Sequence, residues 1–406
     1  GEAAVEKTAL FDALNASIPY DEARYTQLLA QACEEIVDNL KIALEHPAFE
    51  HYVMHITGGM DSRLVYCAST RLPQYRDKII VKTTRKKETI EDYLCALKII
   101  SKHRYPLGKI PFDTSYRTEY TDGHLRGLST VLGVTTEYTS PTARRFPYDK
   151  TCVLPGFYGE FLGRQPYSKG LHKVEKGPSA LSDADFFSSL TYSQCMNAIF
   201  DAQDELNETT IKECLALPGR GNLEKLDCHY LFYRNGLHFT SAHQFRPIAP
   251  SWGVLQSKTQ LALRCMIAPL HWGVKLQMDM IRYLNPELAA VTYESEYYQE
   301  QRKQLNGTLG GYPECMEYDK ALIADIEQEW ETNAQYERTM VENDFPEQED
   351  IFEMSKVLPV FRILLERLPI REDAACAMYH YIKNGKKNSI YTRFLGKLYS
   401  LYYELF

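Results

Sequence analysis

In the first part of the chain, stretches with the helical spacing of hydrophobic residues alternate with short continuous apolar runs. From Tyr25 to Leu40, apolar side chains recur every three or four residues, which predicts a helix with one buried face. Residues 52–56 form a short apolar run that predicts a buried strand, and the helical spacing then returns from Leu64 to Leu72. A strand, a turn and a helix in this order form the opening unit of a parallel α/β sheet.

The same alternation continues downstream. An apolar run at 79–83 predicts a second strand, and a helix is expected from about Ile90 to Lys102. A third short strand is predicted at 151–154, and the second half of the chain has a mostly helical pattern. These patterns predict an α/β protein with a central parallel sheet and a largely helical C-terminal half.

The size and charge of the chain narrow its class. Its 406 residues exceed what one ordinary core accommodates, so more than one lobe is expected. The 54 acidic residues outnumber 46 basic ones, and the net charge of −8 argues against nucleic acid as a partner. No apolar run approaches the roughly 20 residues that span a bilayer, so no membrane partner is expected.

The cysteines indicate a reducing environment. The chain has 10 of them, and none forms a CxxC pair that would indicate zinc or redox chemistry. Most lie in apolar context, where a thiol behaves as a small hydrophobic group. We therefore expect a cytoplasmic protein with free thiols.

The clearest chemical signal is the segment Thr57-Gly58-Gly59-Met60-Asp61-Ser62, between the first strand and its helix. Adjacent glycines allow a tight turn and the close approach of an anion, and a helix N-terminus directs N–H groups at that anion. The hydroxyls of Thr57 and Ser62 add donors. A carboxylate at Asp61 would repel phosphate unless a cation lies between them, and Mg²⁺ binds both groups of oxygens.

A plainer interpretation of this segment stays open, whereas two other phosphate-binding motifs are excluded by its residues. A Gly-Gly turn can simply join a strand to a helix. The segment lacks the Gly-Lys-Ser/Thr ending of a Walker loop, and it does not match the dinucleotide fingerprint.

The segment at 57–62 resembles the Ser-Gly-Gly-x-Asp-Ser pyrophosphate loop of the N-type ATP pyrophosphatases. The sequence around it is similar to the synthetase domain of the asparagine synthetase family, whose members include β-lactam synthetases and lasso-peptide cyclases. The resemblance covers roughly residues 25–311. It implies a nucleotide-binding parallel sheet (adenine nucleotide α-hydrolase-like), with ATP and Mg²⁺ required for AMP-forming synthesis of an amide or lactam from a carboxylate and an amine.

The resemblance also implies the roles of individual residues. The segment 81–83 corresponds to the strand that holds adenine, and Gly156 begins a stretch similar to the family's Gly-x-Gly-x-Asp-Glu segment. Magnesium is assigned to Asp61. Contacts with ATP are assigned to Ile56, Thr57, Gly58, Gly59, Asp61, Ser62, Val81, Thr83 and Gly156. Catalytic roles are assigned to Tyr158, Glu160, Arg246 and Lys303.

Each catalytic candidate has a plainer alternative. Lys303 would neutralise pyrophosphate, or it is a solvated helix lysine. Arg246 would contact substrate or phosphate, or it forms a structural salt bridge. Tyr158 or Glu160 would accept the proton of the attacking amine, or each is an ordinary pocket residue.

Several positions depart from the family pattern. Gly159 stands where the family has a metal-binding aspartate, and Pro250 stands near another family aspartate. The acidic start of the family's next helix is matched by Glu91 and Asp92. Only 56 residues precede Thr57, so no glutaminase domain is expected; either that domain was removed or the nucleophile is an amine of a substrate.

The sequence therefore predicts a carbon–nitrogen ligase with a helical segment at 1–50, a synthetase domain at 51–311 and a helical extension at 312–406. Its expected partners are carboxylate and amine substrates, small or peptidic, with a separate glutaminase or carrier protein as a further possibility. The alternatives are a catalytically reduced nucleotide-binding or regulatory subunit, and adenylation followed by transfer to sulfur or to a nucleoside.

Overall fold

The structure is a computed structural model of the chain, and it describes only part of it. The described residues are 18–85, 90–107, 150–156, 159, 250–267, 270, 274–294, 298–300, 303, 319–344, 354–368, 370, 372–373, 375–376, 379–380 and 402.

The chain divides into two compact units. The first comprises Gly1–Asp113, Tyr148–Arg164 and Ala249–Asp344, and the second comprises Thr114–Pro147, Gln165–Ile248 and Phe345–Phe406. The domain boundaries expected at residues 50 and 311 stay a prediction.

The first unit contains three short strands and most of the described helices. The strands are β1 (His51–His55), β2 (Ile79–Lys82) and β3 (Thr151–Leu154). The helices are α1 (Glu22–Leu44), α2 (Met60–Thr70), a 3-10 helix (Pro73–Lys78), α3 (Ile90–Lys102), α4 (Lys258–Ile267), α5 (Lys275–Leu284), α6 (Pro286–Ala289) and α7 (Lys320–Asp344). The three predicted strands and the helices around them are confirmed, with ends that differ by a few residues.

The strands form one parallel sheet in the order β2-β1-β3. In β1, Val53 lies opposite Ile80 of β2 and Val153 of β3, so the first strand along the chain is the central one. The outer edge of β3 continues in a bridge between Val153 and Ser251. Because the strands are parallel, the segments that follow β1, β2 and β3 all begin at the same edge of the sheet.

Helices around the sheet bury its apolar residues. Helix α1 packs on α2, α4 and α5, while α3 packs on α6 and α7. Tyr52 of β1 is fully buried, and its hydroxyl donates to the carbonyl of Ala43 at 2.5 Å, which ties the central strand to α1. The described part of this unit is therefore an α/β structure, as the alternation of patterns predicts.

Acidic helix α7 contacts α3 through an aromatic pair and contacts the segments on either side of α3 through ion pairs. Arg85 lies 2.9 Å from Glu331, and Arg104 pairs with Glu329. The rings of Tyr93 and Trp330 meet edge to face with 5.5 Å between their centroids. Exposed ion pairs contribute little to stability. Of these three contacts, the aromatic pair is therefore expected to stabilise the packing of α7 most.

The described part of the second unit consists mainly of one helix, α8 (Met354–Arg367), which buries Phe361 and Leu364. Across the described part of the chain, no helix combines the length and apolar character needed to cross a membrane. The six cysteines described there are all free thiols.

Glu35 joins α1 to the start of α4. Its carboxylate accepts hydrogen bonds from the hydroxyl of Ser257 and from that of Thr259, the latter at 2.5 Å. Partial burial by itself raises the pKa of Glu35, but these hydroxyl donors outweigh that effect and the pKa is lowered from its ordinary value. The ionised form of Glu35 therefore stabilises the fold.

We expect Glu35→Gln to lower the free energy of unfolding by about 1 kcal/mol at neutral pH, because the ionised acceptor is lost. A carboxyl whose native pKa is lowered stabilises the fold above its ordinary pKa, and that contribution disappears as the pH falls through the native pKa. Urea denaturation at neutral pH and at about pH 3 should show a difference only at the higher pH. The control is Glu34→Gln, which alters an exposed pair with Arg71 at 3.3 Å and should change stability by less than about 0.5 kcal/mol.

Candidate functional site

The Gly-Gly loop leaves the carboxyl end of the central strand. The N–H of Ile56 donates to the carbonyl of Lys82 at 2.8 Å, which extends the pairing of β1 with β2 by one residue. Helix α2 then begins with Gly59 as its N-cap, and no side chain caps this end through a hydrogen bond. A helix N-terminus without a capping side chain retains N–H groups for an anion.

The two loop hydroxyls hold the turn closed. The N–H of Thr57 donates to Ser62 Oγ at 3.1 Å, and the two side-chain oxygens are also 3.1 Å apart. Ser62 is buried, whereas Thr57 is exposed. Both hydroxyls thus have partners inside the loop, in addition to any role they have as donors to a ligand.

Asp92 of α3 binds the loop through its carboxylate. The N–H of Gly58 donates to Asp92 Oδ1 at 2.6 Å. Burial raises the pKa of Asp92 from its ordinary value, while the N–H groups of Gly58 and Gly59 and the hydroxyl of Thr57 act in the opposite direction. The donors of the double-glycine turn therefore already face an anion that belongs to the protein.

A buried arginine fixes the other side of the same turn. Arg63 of α2 has no exposed surface, and its guanidinium donates to the carbonyl of Gly58 at 3.1 Å. It also donates to the carbonyls of Val291 at 2.8 Å and Thr292 at 2.6 Å, and it lies 4.0 Å from the ring centroid of Tyr293. Arg63 therefore connects the loop to the segment that follows α6.

The hydrogen bond from Arg63 also sets the direction of a loop donor. In a trans peptide, the carbonyl of Gly58 and the N–H of Gly59 point in opposite directions. Because Arg63 holds that carbonyl on the protein side, the N–H of Gly59 points away from the guanidinium. It donates to Thr57 Oγ1 at 3.3 Å, on the exposed side of the turn.

Gly156, which follows β3, packs directly on the first turn of α2. A Cβ atom at this position would lie 2.8 Å from the backbone nitrogen of Ser62 and 2.9 Å from the carbonyl carbon of Asp61. Both obstacles are backbone atoms, so no side chain fits without moving a strand end or a helix. This contact brings the β3 end to the loop, as the parallel sheet predicts.

Asp61 of α2 forms the centre of a second contact, with Gln277 of α5 and with Gly159. The Gln277 amide nitrogen donates to Asp61 Oδ1 and, at 3.2 Å, to the carbonyl of Gly159. Gln277 is fully buried, and no described residue forms a hydrogen bond with its side-chain carbonyl oxygen. A Cβ atom on Gly159 would overlap the Asp61 carboxylate, so the aspartate of the family pattern does not fit beside Asp61 in this conformation.

The structure describes all nine residues predicted to contact the nucleotide and one of the four predicted catalytic residues. Val81 and Thr83 are buried near the end of β2, and the N–H of Val81 donates to the carbonyl of Pro106 at 3.2 Å. Lys303 is exposed and lies 3.7 Å from Glu300. Outside the described residues lie Tyr158, Glu160 and Arg246. The roles assigned to these residues stay predictions.

The magnesium ligand expected from the sequence, Asp61, lies in the described part of the chain, and its metal role stays a prediction. Among those residues, no three His, Cys, Asp or Glu side chains come together as a potential metal-binding group. The side chain of Glu294 lies beside Gly58 and Gly59, which makes it the third carboxylate near the loop, after Asp61 and Asp92. Among the described residues, Asp92 and Glu294 both lie against Gly58, and the role expected of Lys303 stays a prediction.

Sequence reasoning missed Gln277, Arg63 and Glu294, and it noted Asp92 only as part of an acidic helix start. Gln277 is separated from Asp61 by 216 positions, and no motif marks it. Arg63 had a signal, because it directly follows the loop segment on a helix whose neighbouring positions are apolar.

Comparisons of the chain with protein-family models, with curated proteins and with solved structures find no match. The function of the site therefore has to follow from the geometry of its own residues.

Substitution by alanine should affect stability differently at Gly156 and at Gly159. We expect Gly156→Ala to lower the free energy of unfolding by about 1–3 kcal/mol, because the new methyl group meets backbone. In Gly159→Ala, the new methyl group meets the side chain of Asp61, which a second substitution can remove. The double variant Gly159→Ala/Asp61→Ala should therefore be no less stable than Asp61→Ala alone, whereas Gly156→Ala and Asp61→Ala should add. Urea denaturation of the five variants tests this, and additivity at Gly159 would contradict the described contact.

Two buried glutamines provide a matched comparison. We expect Gln277→Leu to cost about 1–3 kcal/mol of unfolding free energy, because the Asp61 carboxylate loses a buried donor. In Gln260, the side-chain amide nitrogen is buried and has no hydrogen-bond partner in the part of the chain that the structure describes. Gln260→Leu should therefore be close to neutral, within about 0.5 kcal/mol, in the same denaturation experiment. Equal losses at both positions would show that the contact with Asp61 contributes nothing specific.

Proposed function

We propose that the chain is an ATP-dependent, AMP-forming carbon–nitrogen ligase that adenylates a carboxylate and couples it to an amine. The observation that carries the proposal is the position of Asp61. Its carboxylate lies in the first turn of α2, beside the Gly-Gly loop, and is bound by the buried amide of Gln277. An acid held at this end of a parallel sheet has a clear use if a cation joins it to phosphate.

The loop has features that suit the phosphates of ATP. Gly59, the N-cap of α2, makes no side-chain hydrogen bond at that helix end, and Gly156 packs its backbone directly on the first turn. The positive end of a helix favours phosphate. We therefore propose that the small parallel sheet is a nucleotide-binding sheet and that the phosphates of ATP lie at the loop.

The residues present also fit Mg²⁺, through a single carboxylate. Asp61 would hold the ion, and phosphate oxygens and water would complete its octahedral set, as is usual for Mg²⁺. The ion would supply charge neutralisation at the phosphates. It is needed because Asp61, Asp92 and Glu294 all bring negative charge to the loop.

The chain's own residues would act by positioning. Two anions, ATP and a carboxylate, must meet in line, and fixed donors lower that barrier without rearranging during the reaction. Arg63 fixes the carbonyl of Gly58, and Gln277 fixes the Asp61 carboxylate. The base that accepts the proton of the amine is proposed to be Tyr158 or Glu160.

A second candidate is a catalytically reduced nucleotide-binding or regulatory subunit. Two observations favour it. Gly159 brings no second carboxylate to the metal, and the N–H of Gly58 is bound to Asp92. Such a subunit would bind nucleotide without turning it over.

The experiment is an assay of pyrophosphate and AMP release from MgATP in the presence of pooled carboxylic acids and amines. We expect Asp61→Asn to lower the rate by roughly 100-fold, as for the loss of an important metal contact. The matched control is Asp77→Asn, which removes the same charge from an exposed residue of the 3-10 helix and should leave the rate unchanged. Calorimetric binding of MgATP without any product supports the regulatory subunit, and the absence of binding contradicts both candidates.

A further inference from the structure

The carboxylate of Asp92 holds the donors that a nucleotide would need. It accepts the N–H of Gly58 at 2.6 Å, and its charged form is also stabilised by the N–H of Gly59 and by the hydroxyl of Thr57. A carboxylate in this arrangement has the features of a bound phosphate oxygen: negative charge, backbone N–H donors and a hydroxyl.

A phosphate oxygen and the Asp92 carboxylate cannot both take the Gly58 donor. One N–H forms one strong hydrogen bond, and two anions at such distances repel each other unless a cation lies between them. Among the described residues, the positive group that contacts the loop is Arg63, but it is buried and its two terminal nitrogens donate to the carbonyls of Gly58, Val291 and Thr292. The described side chains at the loop therefore offer little charge to offset the second anion.

Building on the proposed function, we propose that Asp92 is an internal competitor of the nucleotide, and that binding of MgATP transfers the Gly58 N–H from the Asp92 carboxylate to a phosphate oxygen. Asp92 thereby sets the selectivity of the loop. Only a ligand that brings both several negative charges and a cation displaces it. A nucleotide without a divalent cation, or with a single phosphate, binds weakly.

The alternative role for Asp92 is structural. It would brace the loop and keep the Gly58 N–H whether or not a nucleotide is present. The two roles predict opposite effects when the charge of Asp92 is removed while its shape is kept.

Asp92→Asn makes that change, since the amide oxygen still accepts the Gly58 N–H but no longer carries charge. We expect this variant to bind MgATP about 10-fold more tightly by calorimetry, because a hydrogen bond to a charged group is exchanged for a weaker one. The matched control is Glu91→Gln, which removes the same charge from the adjacent exposed residue of α3 and should leave the affinity unchanged. Thermal unfolding of both variants verifies that they are folded.

A second measurement uses the unaltered protein. Thr57–Gly58 is the only Thr-Gly pair in the sequence, so carbonyl-¹³C threonine combined with ¹⁵N glycine isolates the amide signal of Gly58 in a carbonyl-filtered NMR spectrum. We expect this amide proton to resonate at low field without ligand and to move on saturation with MgATP. AMP should leave it in place.

The outcomes separate the two proposals. Tighter binding by Asp92→Asn together with a moving Gly58 signal supports the competition. Equal or weaker binding by Asp92→Asn, or a Gly58 signal that stays in place while calorimetry shows MgATP bound, overturns the competition and leaves the proposed function standing. If neither the wild type nor Asp92→Asn binds MgATP, the proposed function itself fails, and the competition fails with it.

Discussion

The loop depends first on the buried guanidinium of Arg63. An arginine keeps its positive charge in almost any surroundings, so a fully buried one must find strong acceptors. Among the described residues, its acceptors are the backbone carbonyls of Gly58, Val291 and Thr292 rather than a carboxylate. Carbonyls are fixed by the fold, so the loop and the segment after α6 are held together whatever the protonation state of the acids nearby.

This arrangement separates the positive charge of Arg63, beneath the loop, from the negative charges of the acidic side chains around it. Beneath the loop, Arg63 is matched to carbonyl dipoles. Around the loop, Asp92 and Glu294 lie against Gly58, and Asp61 lies in the first turn of α2. An anionic ligand therefore meets excess negative charge close to a helix N-terminus, and a cation resolves that conflict more readily than any side chain described here. Under the proposed function, the same acids would disfavour anions that arrive without a cation.

The elements around the sheet followed from local patterns. The run at 52–56, the glycine turn and the spacing from Leu64 onward are short-range signals, and so is the helix at Ile90–Lys102. Only part of the candidate site could be predicted from the sequence. The loop was recognised because its chemistry is contiguous, but Gln277 reaches Asp61 from a distant helix, and no period or spacing reports such a contact. Arg63 was predictable as a buried position, though not which carbonyls would accept from it.

Close packing at Gly156 has a consequence for how this loop changes in evolution. Backbone atoms of Asp61 and Ser62 leave no room for a side chain at this position, whether or not a ligand binds nearby. A descendant that lost every ligand would still need glycine there to keep its strand and helix in contact. Retention of that glycine among relatives therefore reports inheritance of the architecture, whereas joint retention of an acid at 61 and an amide at 277 reports selection on chemistry.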